Sequence, residues 1–423
     1  MRPNRDPPLL TTFTMLKPQR GLAWARIGAE LGLFLFGALA ICLPVGLAPF
    51  GFVLVTTSVL YFGRLRRATS EIVAPLRILF LLALSVLLLS LLSIIVMHLG
   101  LRDLDIRTRF LLLPWSALWV YALRPRKQWL WCGAALGVFG VLLLAVIQIL
   151  RGETRAEGWV NAIVLADVTM ALTIMVVFAR PKQSWLLPSL VLLACSAVIV
   201  LSGSRGVLLA MAVVLLVLTM TVRWASLRVR LLLLAGLVLG GGALALEVPQ
   251  VTEQMRLVEL QADMRRLESG DSDSSTGARL ERLQVAYATF LSKPLMGIGI
   301  GQFDRAMTLL PVCRGDEWLV RCHLRHAHND LAEWAATQGV PGLLAILAIY
   351  GVPFVLLLRL YAAGGRKSFR GPAATGVMLV AAYMLCGMTQ SMFSHQMSTS
   401  FYAVAVGVCI GLALREVKLR GAL

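Results

Sequence analysis

The 423-residue sequence is 58% hydrophobic and only 15% charged, with a formal net charge of +18 and a mean hydropathy of +0.79. That balance excludes a soluble globular protein and a disordered one, and defines an integral membrane protein. The basic excess has no soluble domain to sit on, which excludes a nucleic-acid-binding role and makes the charge a signal of topology.

Residues 31–62 contain no charged side chain. A single span needs roughly 17–25 apolar residues, so this stretch predicts two helices, turning at Pro44 and Pro49. The same criterion places spans at 30–46, 48–62, 78–97, 110–123, 129–150, 159–178, 185–201, 206–222, 231–247, 335–358, 373–393 and 399–414. The expected fold class is an all-α polytopic membrane protein of about twelve transmembrane helices, with one long, partly helical periplasmic loop. The chain divides into 1–247 (spans one to nine), 248–330 (the loop, carrying the candidate catalytic residues) and 331–423 (the last three spans).

Basic clusters fix the orientation. Arg2, Arg5, Lys17, Arg20 and Arg26 fall on the same face as Arg64-x-Arg66-Arg67, Arg124-Pro-Arg126-Lys127, Arg180-Pro-Lys182, Arg223 to Arg230, Arg366-Lys367-x-x-Arg370 and Arg415 to Arg420. The positive-inside rule makes that face, and both termini, cytoplasmic. The N-terminal stretch does not read as a cleaved signal, because the apolar region after it runs straight into a second span.

Short loops on the opposite face nevertheless hold Arg102, Arg107, Arg109, Arg151, Arg155 and Arg205. Arginine's planar fork binds phosphate oxygens in pairs and stays charged when partly buried. The plainer alternative is pairing with lipid headgroups or with Asp103, Asp105 and Glu153. Arg205 lies in the tight turn Ser202-Gly-Ser-Arg205-Gly206, whose glycines leave room for a large group to approach the guanidinium.

The long loop predicts an amphipathic helix over 251–268, with Leu257, Leu260, Met264 and Leu267 at helical spacing. Residues 270–277 form a polar breaker that reads as a mobile turn. A second helix over 278–292 sets Leu280, Leu283, Tyr287 and Phe290 on one stripe, with Arg279, Arg282, Ala286 and Thr289 on the other, and stops at Pro294. Arg279 thus occupies a first helical turn, where unpaired N–H groups favour an anion; an arginine on a solvated face fits as well. Gly297-Ile-Gly-Ile-Gly301 is neither a dinucleotide fingerprint nor a P-loop, and reads as close backbone packing against the membrane helices. Cys313 and Cys322 are the only cysteines outside predicted spans, and an oxidising compartment would let a bridge between them persist.

His326 and His328, in Arg325-His-Ala-His-Asn-Asp330, close the loop where the chain re-enters a span. Ionisable groups held against a bilayer point to function. A metal site would need a third ligand, and none stands at a recognisable spacing. The other roles are hydrogen bonding at the interface, or proton transfer and substrate orientation by an imidazole that nearby arginines keep neutral.

Taken in order, Ser202-Gly-Ser-Arg205-Gly206, Arg279, Lys293-Pro-Leu-Met-Gly-Ile-Gly-Ile-Gly301, His326-Ala-His328-Asn-Asp330 and Gly339-x-x-Gly342 resemble the O-antigen ligase and polymerase family, over about 190–345. The resemblance implies a GT-C-like enzyme of the bacterial inner membrane, needing no metal or other cofactor. It would move a glycan from an undecaprenyl diphosphate carrier at the periplasmic face. His328 matches the family's essential loop histidine, and Arg205 and Arg279 its two important arginines, which would bind the diphosphate. Arg282, Arg325 and His326 match as further substrate-binding residues. One dominant outer loop points to a ligase with lipid A–core as acceptor, among membrane lipids. A polymerase or a protein O-oligosaccharyltransferase shares the architecture. A transporter of anionic lipid is the reading from another class, but no internal repeat is apparent.

Overall fold

Inside a bilayer no water is at hand, so backbone N–H and C=O groups must pair within their own segment and long apolar runs become helices. The computed structural model describes residues 16–181, 185–221, 226–232, 235–236, 240, 247–255, 257–269, 274–314, 322, 325–365 and 368–421. Among these, every regular element is a helix. In chain order they are α1 (Leu16–Leu39), α2 (Ala48–Leu60), α3 (Phe62–Glu71), α4 (Val73–Met97), α5 (Leu112–Leu123), α6 (Lys127–Leu150) and α7 (Ala162–Ala179). There follow α8 (Leu186–Ser202), α9 (Val207–Thr221), α10 (Leu257–Glu268), α11 (Ser275–Ser292), α12 (Asp330–Ala363), α13 (Pro372–Gly387) and α14 (Gln396–Lys418).

Helices α1, α4, α6, α7, α12 and α14 are long and apolar enough to cross a membrane, and α2 with α3, bent by 85°, adds a seventh if the pair is one span. Helices α8, α9 and α13 are apolar but shorter. The protein is therefore multi-pass and all-helical over the described residues. The expected span at 231–247 lies mostly outside them, and α5 has only 12 residues. At the N-terminal end, α1 starts at Leu16, not near residue 30. Glu30 can be buried in it because Arg26 and Arg126 both bond its carboxylate, at 3.0 and 2.7 Å.

Helices α7 and α14 are apolar around their whole circumference and almost wholly buried, so they form the centre of the bundle. Around them the connections between α4 and α5, α6 and α7, α8 and α9, and α13 and α14 meet the long 248–329 loop at one end. Gln254, for example, bonds Thr154 O at 3.0 Å and Leu201 O at 2.9 Å.

The loop is fastened to the bundle through a break in α12. Gly339 has φ 64° and ψ −152° inside that helix, and Pro341 has no N–H to offer Thr337 O. The glycine run supplies what the break removes. Gly299 N donates to Thr337 O at 2.9 Å, Ile298 N to Ala336 O at 3.1 Å, and Val340 N turns away to Pro294 O at 2.7 Å. A Cβ on Gly339 would stand 2.3 Å from Pro294 O, and one on Gly297 2.3 Å from the Thr337 carbonyl carbon. This is the close backbone packing that the glycine run predicts.

Gly339→Ala is therefore expected to destabilise the protein by at least ~2–3 kcal/mol, combining backbone strain with a direct clash. Gly51→Ala, where a Cβ meets nothing within 4 Å, is expected to be neutral or slightly stabilising. Thermal unfolding of the two variants in one detergent checks the contrast.

Candidate active site

Asn329 caps α12, its Oδ1 accepting from Ala332 N at 3.0 Å, and His328 just before it adopts a left-handed backbone with φ 54°. That conformation is unfavourable for a residue with a Cβ, and a ring of bonds holds it. Glu333 Oε2 accepts from Ala327 N at 2.6 Å, and Asn329 Nδ2 donates to Met388 O at 3.0 Å. Asp330 accepts from Phe393 N at 3.2 Å and from the Tyr350 hydroxyl at 2.7 Å. Buried Arg107 lies 3.7 Å over the Trp334 ring. Burial lowers its pKa to about 10 while Glu333, Asp330 and Asp103 oppose the shift, so it remains a cation among carboxylates.

These ties seat His328 against the α13–α14 turn. His328 Nδ1 lies 2.5 Å from Gln390 Oε1, and Gln390 Nε2 lies 2.8 Å from His395 Nε2. The His326 and His395 rings meet edge to face at 5.4 Å. His326 Nδ1 is buried without a hydrogen-bond partner.

The arginines come from three other segments. Arg205 stands in its turn between α8 and α9, but the flanking glycines serve protein contacts and not an incoming group. A Cβ on Gly203 would lie 2.7 Å from Gln254 O, and one on Gly206 2.4 Å from Thr389 Oγ1. The second contact sets the Arg205 turn beside Gln390. Arg155, from the α6–α7 connection, donates from Nε to Ser202 O at 2.9 Å.

Helix α11 brings Arg279 and Arg282. It begins at Ser275, inside the expected mobile turn, because Ser274 caps it: its Oγ accepts from Gly277 N at 3.0 Å. Asp263 of α10 accepts from Thr276 N at 3.2 Å and Thr276 Oγ1 at 3.1 Å. Part of the first turn's anion-attracting power is thus already used by protein. Residues 270–273 lie outside the described residues. Of the two expected faces the apolar one looks outward: Leu280, Leu283 and Tyr287 are exposed, while Arg282, Ala286 and Thr289 of the other face are buried together with Val285. An exposed apolar stripe backed by a cationic face is what a helix lying in a membrane interface presents.

Arg279 is exposed as a residue, yet enough protein surrounds it that desolvation lowers its pKa, with Arg205 and Arg155 adding like charge. Burial and the Arg279 charge do the same to Arg282, whose Nε is buried with no partner. None of the ion pairs among the described residues involves Arg279 or Arg282. Burial takes His328 down to about 4, with Arg282, Arg279 and His395 lowering it further against the Gln390 bond. His326 falls to about 4 by burial and the neighbouring His395, His328 and Arg325 charges, and burial lowers His395. Burial, more than the arginines, keeps these imidazoles neutral.

His328, Arg279, Arg282 and Arg205 thus share one locality, and His326 joins through His395. Arg325 is exposed and acts only on His326. Among the other outer-loop arginines, Arg109 pairs with Asp105 at 2.9 Å. Sequence reasoning missed Gln390 and His395, and placed Arg155 among the outer-loop arginines without tying it to the site. The one available signal was a polar turn, Gln390 to His395, between two apolar runs. Cys313 and Cys322 form a disulfide with Cα atoms 5.5 Å apart, closing the loop ahead of the histidines.

The fold and the site together define a multi-pass helical membrane protein in which arginines from several connections gather beside His328. Residues 189–347 match the family model described as O-Antigen ligase. That stretch, similar to the O-antigen ligase family, includes Arg205, Arg279, Arg282 and His328. No match to a curated protein is found.

In histidine-labelled protein, NMR titration is expected to find His326 and His328 uncharged down to about pH 5, with midpoints near 4. A midpoint near 6.5, the value of free imidazole, would contradict the burial described here.

Proposed function

We propose that the protein is an O-antigen ligase. It takes a glycan from undecaprenyl diphosphate and joins it to a sugar hydroxyl of lipid A–core, at the periplasmic face of a bacterial inner membrane. The observation that carries this reading is the gathering of Arg205, Arg279 and Arg282 beside a half-buried His328 whose pKa burial lowers to about 4. The match of residues 189–347 to the O-Antigen ligase family model supports a lipid-linked glycan donor and a lipid acceptor in general; the particular pair is our proposal.

A sugar on a diphosphate is already activated, so the enzyme has to supply position and charge. Arg205 and Arg279, with Arg282 behind them, hold the diphosphate and neutralise the charge that grows as the C1–O bond breaks. Arginine forks suit this work because they bind oxygens in pairs. His328 takes the proton from the acceptor hydroxyl as its oxygen attacks C1 from the side opposite the diphosphate. The new C1–O bond forms with inversion, undecaprenyl diphosphate leaves, and the imidazolium returns its proton to solvent. His326 and Arg325 border the acceptor side. In this scheme the charge stabilisation comes from guanidinium groups and no divalent cation is required.

The test is transfer by purified protein from undecaprenyl diphosphate-linked glycan to lipid A–core, with chelator and without nucleotide. Product on lipid A–core is expected. Longer glycan on the carrier would make the protein a polymerase, and glycan on a supplied polypeptide a protein glycosyltransferase. No transfer by enzyme that still moves labelled lipid between leaflets would favour a transporter. His328→Ala is expected to lower kcat by about 10²–10⁴ while donor still binds, and Arg205→Met or Arg279→Met to lower it by about 10²–10³. Near-normal turnover in His328→Ala would remove the base assignment.

A further inference from the structure

We propose that Gln390 is a positioning residue for the transfer: its carboxamide, bridging His328 and His395, holds His328 as the Nδ1–H tautomer with Nε2 bare for the acceptor hydroxyl. The inference rests on His328 being the base.

An amide oxygen only accepts hydrogen bonds and an amide nitrogen only donates them. With Oε1 of Gln390 2.5 Å from His328 Nδ1, the single proton of the neutral imidazole lies on Nδ1, and the lone pair is left on Nε2. The same amide donates from Nε2 to His395 Nε2 at 2.8 Å, so that nitrogen is the acceptor and His395 carries its proton on Nδ1. Turning the amide over would bring its NH₂ to His328 Nδ1, move the histidine's proton to Nε2 and leave no lone pair for the acceptor. The bond to His395 completes the amide's pairing in the productive direction.

The surroundings keep this arrangement. Gln390 is 3% exposed, so water does not compete for its amide. Its backbone is fixed through Gln390 N to Cys386 O at 3.0 Å, and the turn is tied to α12 through Met388 O and Phe393 N. When His328 gains the acceptor's proton, its bond to Oε1 becomes charge-assisted and stronger. A carboxylate in the same place would favour imidazolium in the resting enzyme, and would compete with the diphosphate for the arginines. A neutral amide orients the ring without either effect.

The experiment measures kcat, donor KM and the pH dependence of kcat/KM for Gln390→Leu, Gln390→Glu and His328→Ala in the transfer assay. The charged and titratable groups facing His328 are Arg279 and Arg282 on α11, His395 across the turn and His326 on its own segment; all stay in place in the Gln390 variants. Gln390→Leu is expected to lose roughly 10–10²-fold in kcat, within the range of general-base catalysis, with donor KM little changed. Gln390→Glu is expected to stay active but to move the acid limb up by about one pH unit or more. It is isosteric, so it decides the matter even if the leucine variant fails to fold. A wild-type kcat in Gln390→Leu, or an unmoved acid limb in Gln390→Glu, overturns the proposal. Loss of activity in His328→Ala beside either of those results overturns this inference alone; an active His328→Ala overturns the base reading and this inference with it.

Discussion

Like charges held close together in a partly desolvated place are the constraint on which the rest of this structure depends. Arg155 and Arg205 act on Arg279, Arg279 acts on Arg282, and Arg279 and Arg282 act on His328. Two like charges roughly 8 Å apart cost about 2 kcal/mol at an effective dielectric near 20. Arg279 and Arg282, which enter no ion pair among the described residues, stay in place only if something other than a counter-ion anchors them. Arg155 is held through a backbone carbonyl, and Arg279 and Arg282 by a helix whose start is fixed by Ser274 and Asp263. An incoming anion relieves the repulsion, so binding free energy is built into the empty protein.

The carboxylates that would have quenched this charge are used one layer lower. Asp330 and Glu333 face Arg107 and bond the backbone of the two segments that carry His328 and Gln390. Acid and base are thereby separated: the buried acids fix the backbone, while the surface above them keeps its cations and neutral imidazoles. The break at Gly339 completes the frame, because its orphaned carbonyls can be satisfied only by the glycine run that follows α11. The arginine helix and the histidine segment are therefore both fastened to the same membrane helix.

Much of this was legible in the sequence, for identifiable reasons. Apolar runs bounded by basic clusters gave the helical, multi-pass architecture, since the bilayer leaves the backbone few alternatives. The ordered motifs gave Arg205, Arg279 and His328, and the glycine run gave its own packing role. The two faces of α11 were legible but their orientation was not, because periodicity does not say which face meets protein when the other solvent is lipid. Gly203 and Gly206 were read as space for substrate, when the crowding is by Gln254 and Thr389. Gln390 and His395 were missed, and Arg155 was not tied to the site, because single polar residues in short turns carry no spacing signal. Only the packing of four connections at one end of the bundle brings them together.

The most direct test of the central claim is a structure of the protein with undecaprenyl diphosphate bound. The account predicts the diphosphate within hydrogen-bonding distance of the Arg205 and Arg279 guanidiniums, with Arg282 behind it and His328 Nε2 facing the sugar position. A diphosphate seated elsewhere, with these arginines turned to solvent or lipid headgroups, would contradict it.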